Sequence, residues 1–245
     1  MVENLEEVLF GGQSFSWRKE DMCYTAVLND RVYRIKSAED FYQDEFLSSY
    51  FNTSYDWEAA GREIRNKDEI LRRAVDEVGM LRILKQDPFT TLISFILSQA
   101  NNIKRITGLY ERISRRYGKR IDEDHYSFPT FEEMKDATES DLISLGTGFR
   151  APFIVDAIRH ADVLDSLYAM SFEEAEKELM KIKGIGEKVA SCILIFAYNK
   201  MEAFPIDVWM KRVMNEYYPG KDKSYFAPYE ALSQQYLFSW IRKIS

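Results

Sequence analysis

Apolar positions along the chain change their spacing once, near residue 56. Before that point, "SFSWRK" (14–19), "CYTAVLN" (23–29) and "RVYRIKS" (31–37) are dense in aromatic and β-branched residues. That composition suits half-buried strands. Asn29-Asp30, between the second and third of these, reads as a two-residue hairpin turn. Beyond residue 56 the spacing becomes helical. Asp87-Pro88 reads as a helix cap and first residue before "FTTLISFILSQA". Ile103, Ile106, Tyr110, Ile113 and Tyr117 predict a helix over 103–117, with Gly118 as its stop. Thr130-x-x-Glu133 and Ser171-x-x-Glu174 are capping boxes, and Pro152 and Pro228 stand where first-turn prolines belong. No internal repeat or low-complexity linker interrupts the pattern. The expected fold is α+β. An N-terminal antiparallel β-sheet subdomain with helices (1–85) is followed by a mostly α-helical body with the catalytic cleft (86–245).

Composition narrows the class. Two cysteines, Cys23 and Cys192, stand far apart and in no CxxC. This suits a reducing compartment and leaves no ligand set for a cysteine zinc site or an iron–sulfur cluster. No apolar run is long enough to span a membrane, and the start lacks a basic region followed by an apolar stretch. The expectation is a cytoplasmic, nucleoid-associated protein with no targeting signal and no membrane partner. The net charge of −7 weighs mildly against nucleic acid, but the average conceals a pattern. Residues 101–120 carry seven bases and one acid, whereas residues 39–79 carry eleven acids and five bases. An acidic protein can still present one basic face.

The stretch "KIKGIGEKVASC" (181–192) carries the chemistry. One helix is expected from Ser171 to about Ile182 and another from Gly186 or Glu187. Lys183-Gly184-Ile185-Gly186 is then a helix–hairpin–helix turn, with Ile185 anchored in the core. Free N–H groups at the second helix's start would face outward, where the helix dipole favours an anion such as a DNA phosphate. Lys188 follows on the first turn. Alone it would read as an ordinary surface lysine. In "FPIDVWMKRV", however, Pro205 is expected to start a helix with Asp207 in its first turn, close enough for both side chains to reach one cleft. An amine beside a carboxylate can perform nucleophilic catalysis. An ordinary lysine is only about 0.1% neutral near pH 7.5, so such an amine needs an environment that favours the neutral form. The carboxylate would accept a proton or stabilise developing positive charge, such as that at C1′ of a sugar losing its base.

These motifs resemble the helix–hairpin–helix superfamily of base-excision DNA glycosylases, from about residue 6 onward. "GGQSFSW", "SFILSQANNIKRITG", "LGTGFRA" and "QQYLFS" make the chain similar to its 8-oxoguanine DNA glycosylase/AP lyase branch. The resemblance implies that Lys188 attacks C1′, expels the base and forms a Schiff base, followed by β-elimination. Asp207 would assist base loss. Gly12 would accept a hydrogen bond from the damaged base, Phe238 and Cys192 would sandwich it, and Gln234 would read its Watson–Crick edge. Arg105, Phe149 and Arg150 would fill the vacated duplex and contact the orphan cytosine. Asn102, Gly184 and Gly186 would contact DNA. Backbone carbonyls near Ile182 and Ile185 would hold a structural cation, with no other cofactor required. The implied partner is damaged double-stranded DNA, bound by a monomer. Two positions depart from the family. Ala100 precedes Asn101-Asn102 where eukaryotic members have three asparagines, and Trp209 replaces a common histidine. The alternatives are a glycosylase for other purine lesions on the same fold and a non-catalytic DNA-binding module.

Overall fold

The computed structural model describes residues 2–244. Helix α1 (Leu5–Phe10) opens the chain, capped by the Asn4 side chain, which accepts the Glu7 N–H. A glycine-containing loop leads to strands β1 (Arg18–Glu20), β2 (Cys23–Leu28) and β3 (Arg31–Ile35), an antiparallel sheet in the order β1-β2-β3. Leu28 pairs with Arg31, and Asn29 and Asp30 both have positive φ (48° and 57°), as the expected two-residue turn requires. The first strand is shorter than its composition suggests, because Phe15 and Trp17 are drawn into the core. Trp17 Nε1 donates to Tyr50 Oη at 3.1 Å, and its ring packs on Phe51.

Twelve more α-helices follow among the described residues. They are α2 (Glu45–Tyr50), α3 (Trp57–Lys67), α4 (Glu69–Val78), α5 (Pro88–Ser98), α6 (Ile103–Tyr117) and α7 (Phe131–Met134). After them come α8 (Glu139–Ser144), α9 (Ala151–Arg159), α10 (Phe172–Leu179), α11 (Glu187–Tyr198), α12 (Val208–Tyr217) and α13 (Glu230–Lys243). Caps expected at Asp87, Thr130 and Ser171 all form. Helices α5 and α11 are apolar around most of their circumference and are buried against each other, with Phe95 and Phe196 stacked at 5.3 Å. Helix α6 is amphipathic. It buries Ile106, Leu109, Tyr110 and Ile113 and exposes Arg105, Arg112, Arg115 and Arg116.

Three local expectations change. Gly118 ends α6 in extended backbone (φ −79°, ψ 170°), so it is not a left-handed cap. A Cβ there would lie 1.9 Å from Ser127 O, so close backbone approach demands the glycine. Pro228 precedes α13, whose cap is Tyr229. Helix α10 ends at Leu179, three residues short of Ile182.

The expected boundary at 85/86 falls in an extended segment bonded on both sides. Lys85 N–H donates to Tyr50 O and Gln86 N–H to Phe196 O. Helix α13 returns to pack on α4, and Tyr236 Oη accepts the Leu81 N–H at 3.1 Å. The last helix therefore lies beside the first hundred residues.

Candidate active site and DNA-facing surface

The hairpin links α10 to α11. Ile185 N–H donates to Ile182 O at 3.1 Å, and Lys183 N–H donates to Asp156 Oδ2 at 2.7 Å. Ile182 and Ile185 are buried, while Lys183, Gly184 and Gly186 face solvent. The two glycines differ. Gly184 has φ +82°, and a Cβ on it would lie 2.4 Å from the Phe153 ring. Gly186 has φ −106°, and a Cβ on it would meet nothing within 4 Å. Gly186 caps α11 without a side-chain hydrogen bond, so open space stands before a bare helix N-terminus. Ile182 O keeps one lone pair. Among the described residues no group of three or more His, Cys, Asp or Glu could hold a metal. An ion at the hairpin would therefore rest on backbone carbonyls.

Lys188 lies half-buried on the first turn of α11, its Nζ 5.6 Å from the Phe95 ring centre. Cys192, one turn on, is buried. Burial pushes the Cys192 thiol up from its ordinary value, the Lys188 side chain pulls it down, and the Asp207 carboxylate pushes it up. Amine and carboxylate thus bear on the same thiol. Asp207 is not inside α12, as Pro205 suggested, but is its N-cap. Its Oδ1 accepts the N–H groups of Trp209 (3.0 Å) and Met210 (2.9 Å). Asp207 Oδ2 makes no hydrogen bond among the described residues. One oxygen fixes the carboxylate, and the other is available to a substrate. Trp209, in place of the common histidine, is half-buried.

Gly12 and Phe238 come together from opposite ends of the sequence. A Cβ on Gly12 would lie 3.9 Å from Phe238 Cε1 and 3.8 Å from Ile103 Cδ1. Both neighbours of Gly12 are tied down. Gly11 O accepts from Arg242, and Gln13 bonds Leu84 N–H, Arg82 O and the Gln86 amide. Gly12 itself, at φ +111°, makes no hydrogen bond among the described residues. Its carbonyl is an acceptor without a donor. Gln234, one turn before Phe238 on α13, is buried. It donates to Pro205 O at 3.2 Å and accepts from the Gln235 amide at 2.6 Å. Gln234 is thereby tied to the loop that carries Asp207.

The turn at 148–150 exposes Phe149, 55% accessible. Arg150 sits differently from the expectation. It is buried, its guanidinium 4.3 Å from the Phe149 ring centre, with N–H groups on the carbonyls of Gln99, Ala100 and Thr147. Those bonds engage four of its five donors. Arg150 thus braces the 148–150 turn against the α5–α6 loop. Burial first, and then the neighbouring Arg105, hold its pKa below the usual guanidinium value. Arg105 is exposed. Asn102 caps α6 through the Arg105 N–H at 3.0 Å, and Asn101 donates to Leu97 O. Ala100 holds φ +46°. Sequence reasoning missed Phe153, which packs under Gly184 and lies edge-to-face with Phe149 at 6.2 Å, joining the hairpin to the 148–150 turn. It also missed Arg242. Both lie outside the motifs, so only three-dimensional contact reveals them.

Comparison with known proteins places these features. Residues 2–92 match the 8-oxoguanine DNA glycosylase N-terminal domain, and residues 93–236 match the HhH-GPD superfamily of base excision DNA repair proteins. The chain is 33% identical to the probable N-glycosylase/DNA lyase of Methanothermobacter thermautotrophicus over 182 residues, 64% of this chain and 58% of that protein. It spans about half the length of the curated relatives it matches. Among solved structures it is similar to the Clostridium acetobutylicum 8-oxoguanine glycosylase/lyase in complex with double-stranded DNA containing cytosine opposite 8-oxoG, at 29% identity and TM-score 0.87. It is also similar to MBOgg1 in complex with a low-affinity DNA ligand, at 31% identity and TM-score 0.90. Each match covers 98% of this chain and 92% of the other.

Proposed function

Since the chain belongs to the HhH-GPD superfamily of base excision DNA repair proteins, we propose that it is a bifunctional DNA glycosylase and AP lyase that excises 8-oxoguanine from duplex DNA. The observation that carries this reading is Lys188 on the first turn of α11, beside the hairpin, with the N-cap carboxylate of Asp207 held by Oδ1 and both side chains acting on the buried Cys192 thiol one turn further on. A binding module has no need of that pair.

DNA phosphate meets the bare N-terminus of α11 at Gly186, and the exposed arginines of α6 extend the basic face. The lesion leaves the stack, and Phe149, braced by Arg150, occupies the gap. Arg105 and the remaining Arg150 donor face the orphan base, with Asn102 holding the start of α6. The flipped base lies between Phe238 and Cys192, with Gln234 at its Watson–Crick edge. Gly12 O accepts N7–H, which 8-oxoguanine has. Guanine offers a lone pair there, so the carbonyl would face another acceptor, costing about 1–3 kcal/mol.

Lys188 Nζ then attacks C1′ and the glycosidic bond breaks, the electron pair leaving with the base. Asp207 Oδ2 stabilises positive charge at C1′ as it develops. The nitrogen gives one of its two protons to the departing base and the other to O4′ as the sugar ring opens, which leaves a Schiff base between Nζ and C1′. Removal of a C2′ proton expels the 3′ phosphate, and water releases Lys188. The protein acts as a monomer without a required cofactor. A cation at the hairpin would sit on the carbonyls of Ile182 and Ile185.

The test is borohydride trapping on duplexes carrying 8-oxoguanine, uracil or alkylated adenine. We expect a covalent adduct with the 8-oxoguanine duplex, lost in Lys188→Gln while lesion binding persists. An undiminished adduct in Lys188→Gln, or trapping only on another lesion, overturns the assignment.

A further inference from the structure

We propose that Arg242 is a positioning residue that sets the Gly11-Gly12 loop in register with helix α13, and so aligns the two surfaces that read the lesion. This rests on the reading above that Gly12 and Phe238 contact the flipped base.

Arg242 lies on α13, one turn beyond Phe238 and two beyond Gln234. Its Nη1 donates to Gly11 O at 2.7 Å, and its Cζ lies 4.8 Å from the Phe238 ring centre. One guanidinium therefore touches the carbonyl next to Gly12 and the ring across from Gly12. A carboxylate completes the arrangement. Glu7 Oε1 lies 4.0 Å from Arg242 Nη1, buried and without a hydrogen bond of its own. Glu7 also holds Gly11 from the other side, because its carbonyl accepts the Gly11 N–H at 2.8 Å. A Cβ on Gly11 would lie 2.4 Å from Glu7 Oε1, so the loop presses directly on that carboxylate.

The consequence is geometric. Gly12 makes no hydrogen bond of its own, so its carbonyl direction is set by the residues beside it. Gln13 fixes the far side through the segment 82–86. Arg242 fixes the near side, and it does so from the helix that carries Phe238 and Gln234. Selection at N7 depends on that direction, because a carbonyl turned away from the base neither rewards N7–H nor penalises a lone pair. Arg242 reaches neither the sugar nor the amine chemistry. It acts through Gly11 and Phe238.

The test compares wild type, Arg242→Ala, Arg242→Lys and Phe238→Ala in two assays under single turnover. One measures excision of 8-oxoguanine opposite cytosine, and the other measures strand cleavage at a preformed abasic site, which has no base to read. Thermal melting of each variant accompanies them. We expect Arg242→Ala to slow base excision about ten- to a hundredfold, the scale of a misplaced contact. Abasic-site cleavage should stay within about twofold of wild type, since the transition-state groups are untouched. Arg242→Lys, which keeps an amine able to reach Gly11 O, should recover part of the loss. Unchanged excision in Arg242→Ala overturns the proposal. So does a parallel fall in both assays, or an Arg242→Lys as slow as the alanine variant. Unchanged excision in Phe238→Ala would remove the underlying reading of the pocket, and this proposal with it.

Discussion

A glycine can be required for different reasons at different places, and three glycines here separate those reasons. Gly184→Ala must push a methyl group into the Phe153 ring from a left-handed backbone. We expect a loss of at least about 2 kcal/mol in urea unfolding, from strain and overpacking together. Gly186→Ala meets no neighbour and an ordinary φ. It should melt like wild type but bind duplex DNA more weakly, because its methyl group stands where a phosphate would come. Equal losses of stability in both variants would contradict this division. Gly12→Ala falls between them. Its Cβ contacts are of ordinary length, but φ +111° strains it by about 1–3 kcal/mol. Excision should be lost while abasic-duplex binding survives. Ala100 offers the opposite case, a non-glycine at φ +46° where asparagine is better tolerated. Ala100→Asn should leave stability equal or higher. It should also raise the ratio of single-turnover rates for lesion·C over lesion·A, and an unchanged ratio would show that the missing amide has no part in opposite-base choice. At this scale the residue types were legible. "GIG" announced a turn, but the sequence did not separate a glycine required by Phe153 from one beside open space.

Among elements, α12 shows how one residue serves fold and chemistry together. Asp207 caps the helix with Oδ1 and leaves Oδ2 unengaged. Asparagine retains the cap but loses the charge, whereas alanine loses both. We expect Asp207→Asn to keep wild-type stability and Asp207→Ala to lose about 0.5–2 kcal/mol. Both should excise poorly, because the stabilisation at C1′ needs a carboxylate. Equal stability in the two variants would mean that the cap contributes little. Helix starts governed by local chemistry were readable, as Asp87-Pro88, Thr130 and Ser171 show. The start of α12 was misplaced by three residues because Pro205 gives a strong initiation signal, while a buried donor from Gln234 holds its carbonyl outside the helix. Helices α11 and α13 are buried on nearly all sides, so period alone did not say which of their faces met the pocket.

Across the whole molecule, contacts between distant segments decide where the pieces stand. Arg82 and Glu3 form an ion pair with side chains only 3% and 8% accessible, and Arg82 also donates to Phe51 O. Removing one partner of such a pair strands the other, so Arg82→Ala should cost about 3–5 kcal/mol in equilibrium unfolding. A cost under about 1 kcal/mol would show that water reaches the site. None of this was visible in the sequence. Hydrophobic spacing tells which face of an element is buried but not what covers it. The meeting of Gly12 with Phe238, and of Arg242 with Gly11, therefore had to await the fold.

That meeting has a consequence for synthesis. A ribosome delivers the hairpin, Lys188 and Asp207 before it delivers residues 230–243. A chain released before residue 230 would carry Lys188 and Asp207, the pair proposed above to do the chemistry, without Gln234 and Phe238, proposed above to read the base. The same absent helix, however, would strip α4, which buries Leu71, Ala74, Val75 and Val78, of one of the two helices packed on it and leave Leu81 N–H without its acceptor. Such a fragment cannot complete its core, and cellular proteolysis removes chains in that state. On that reading, the residues proposed to discriminate and the residues that help complete the core arrive together in α13, so a chain released before it lacks both.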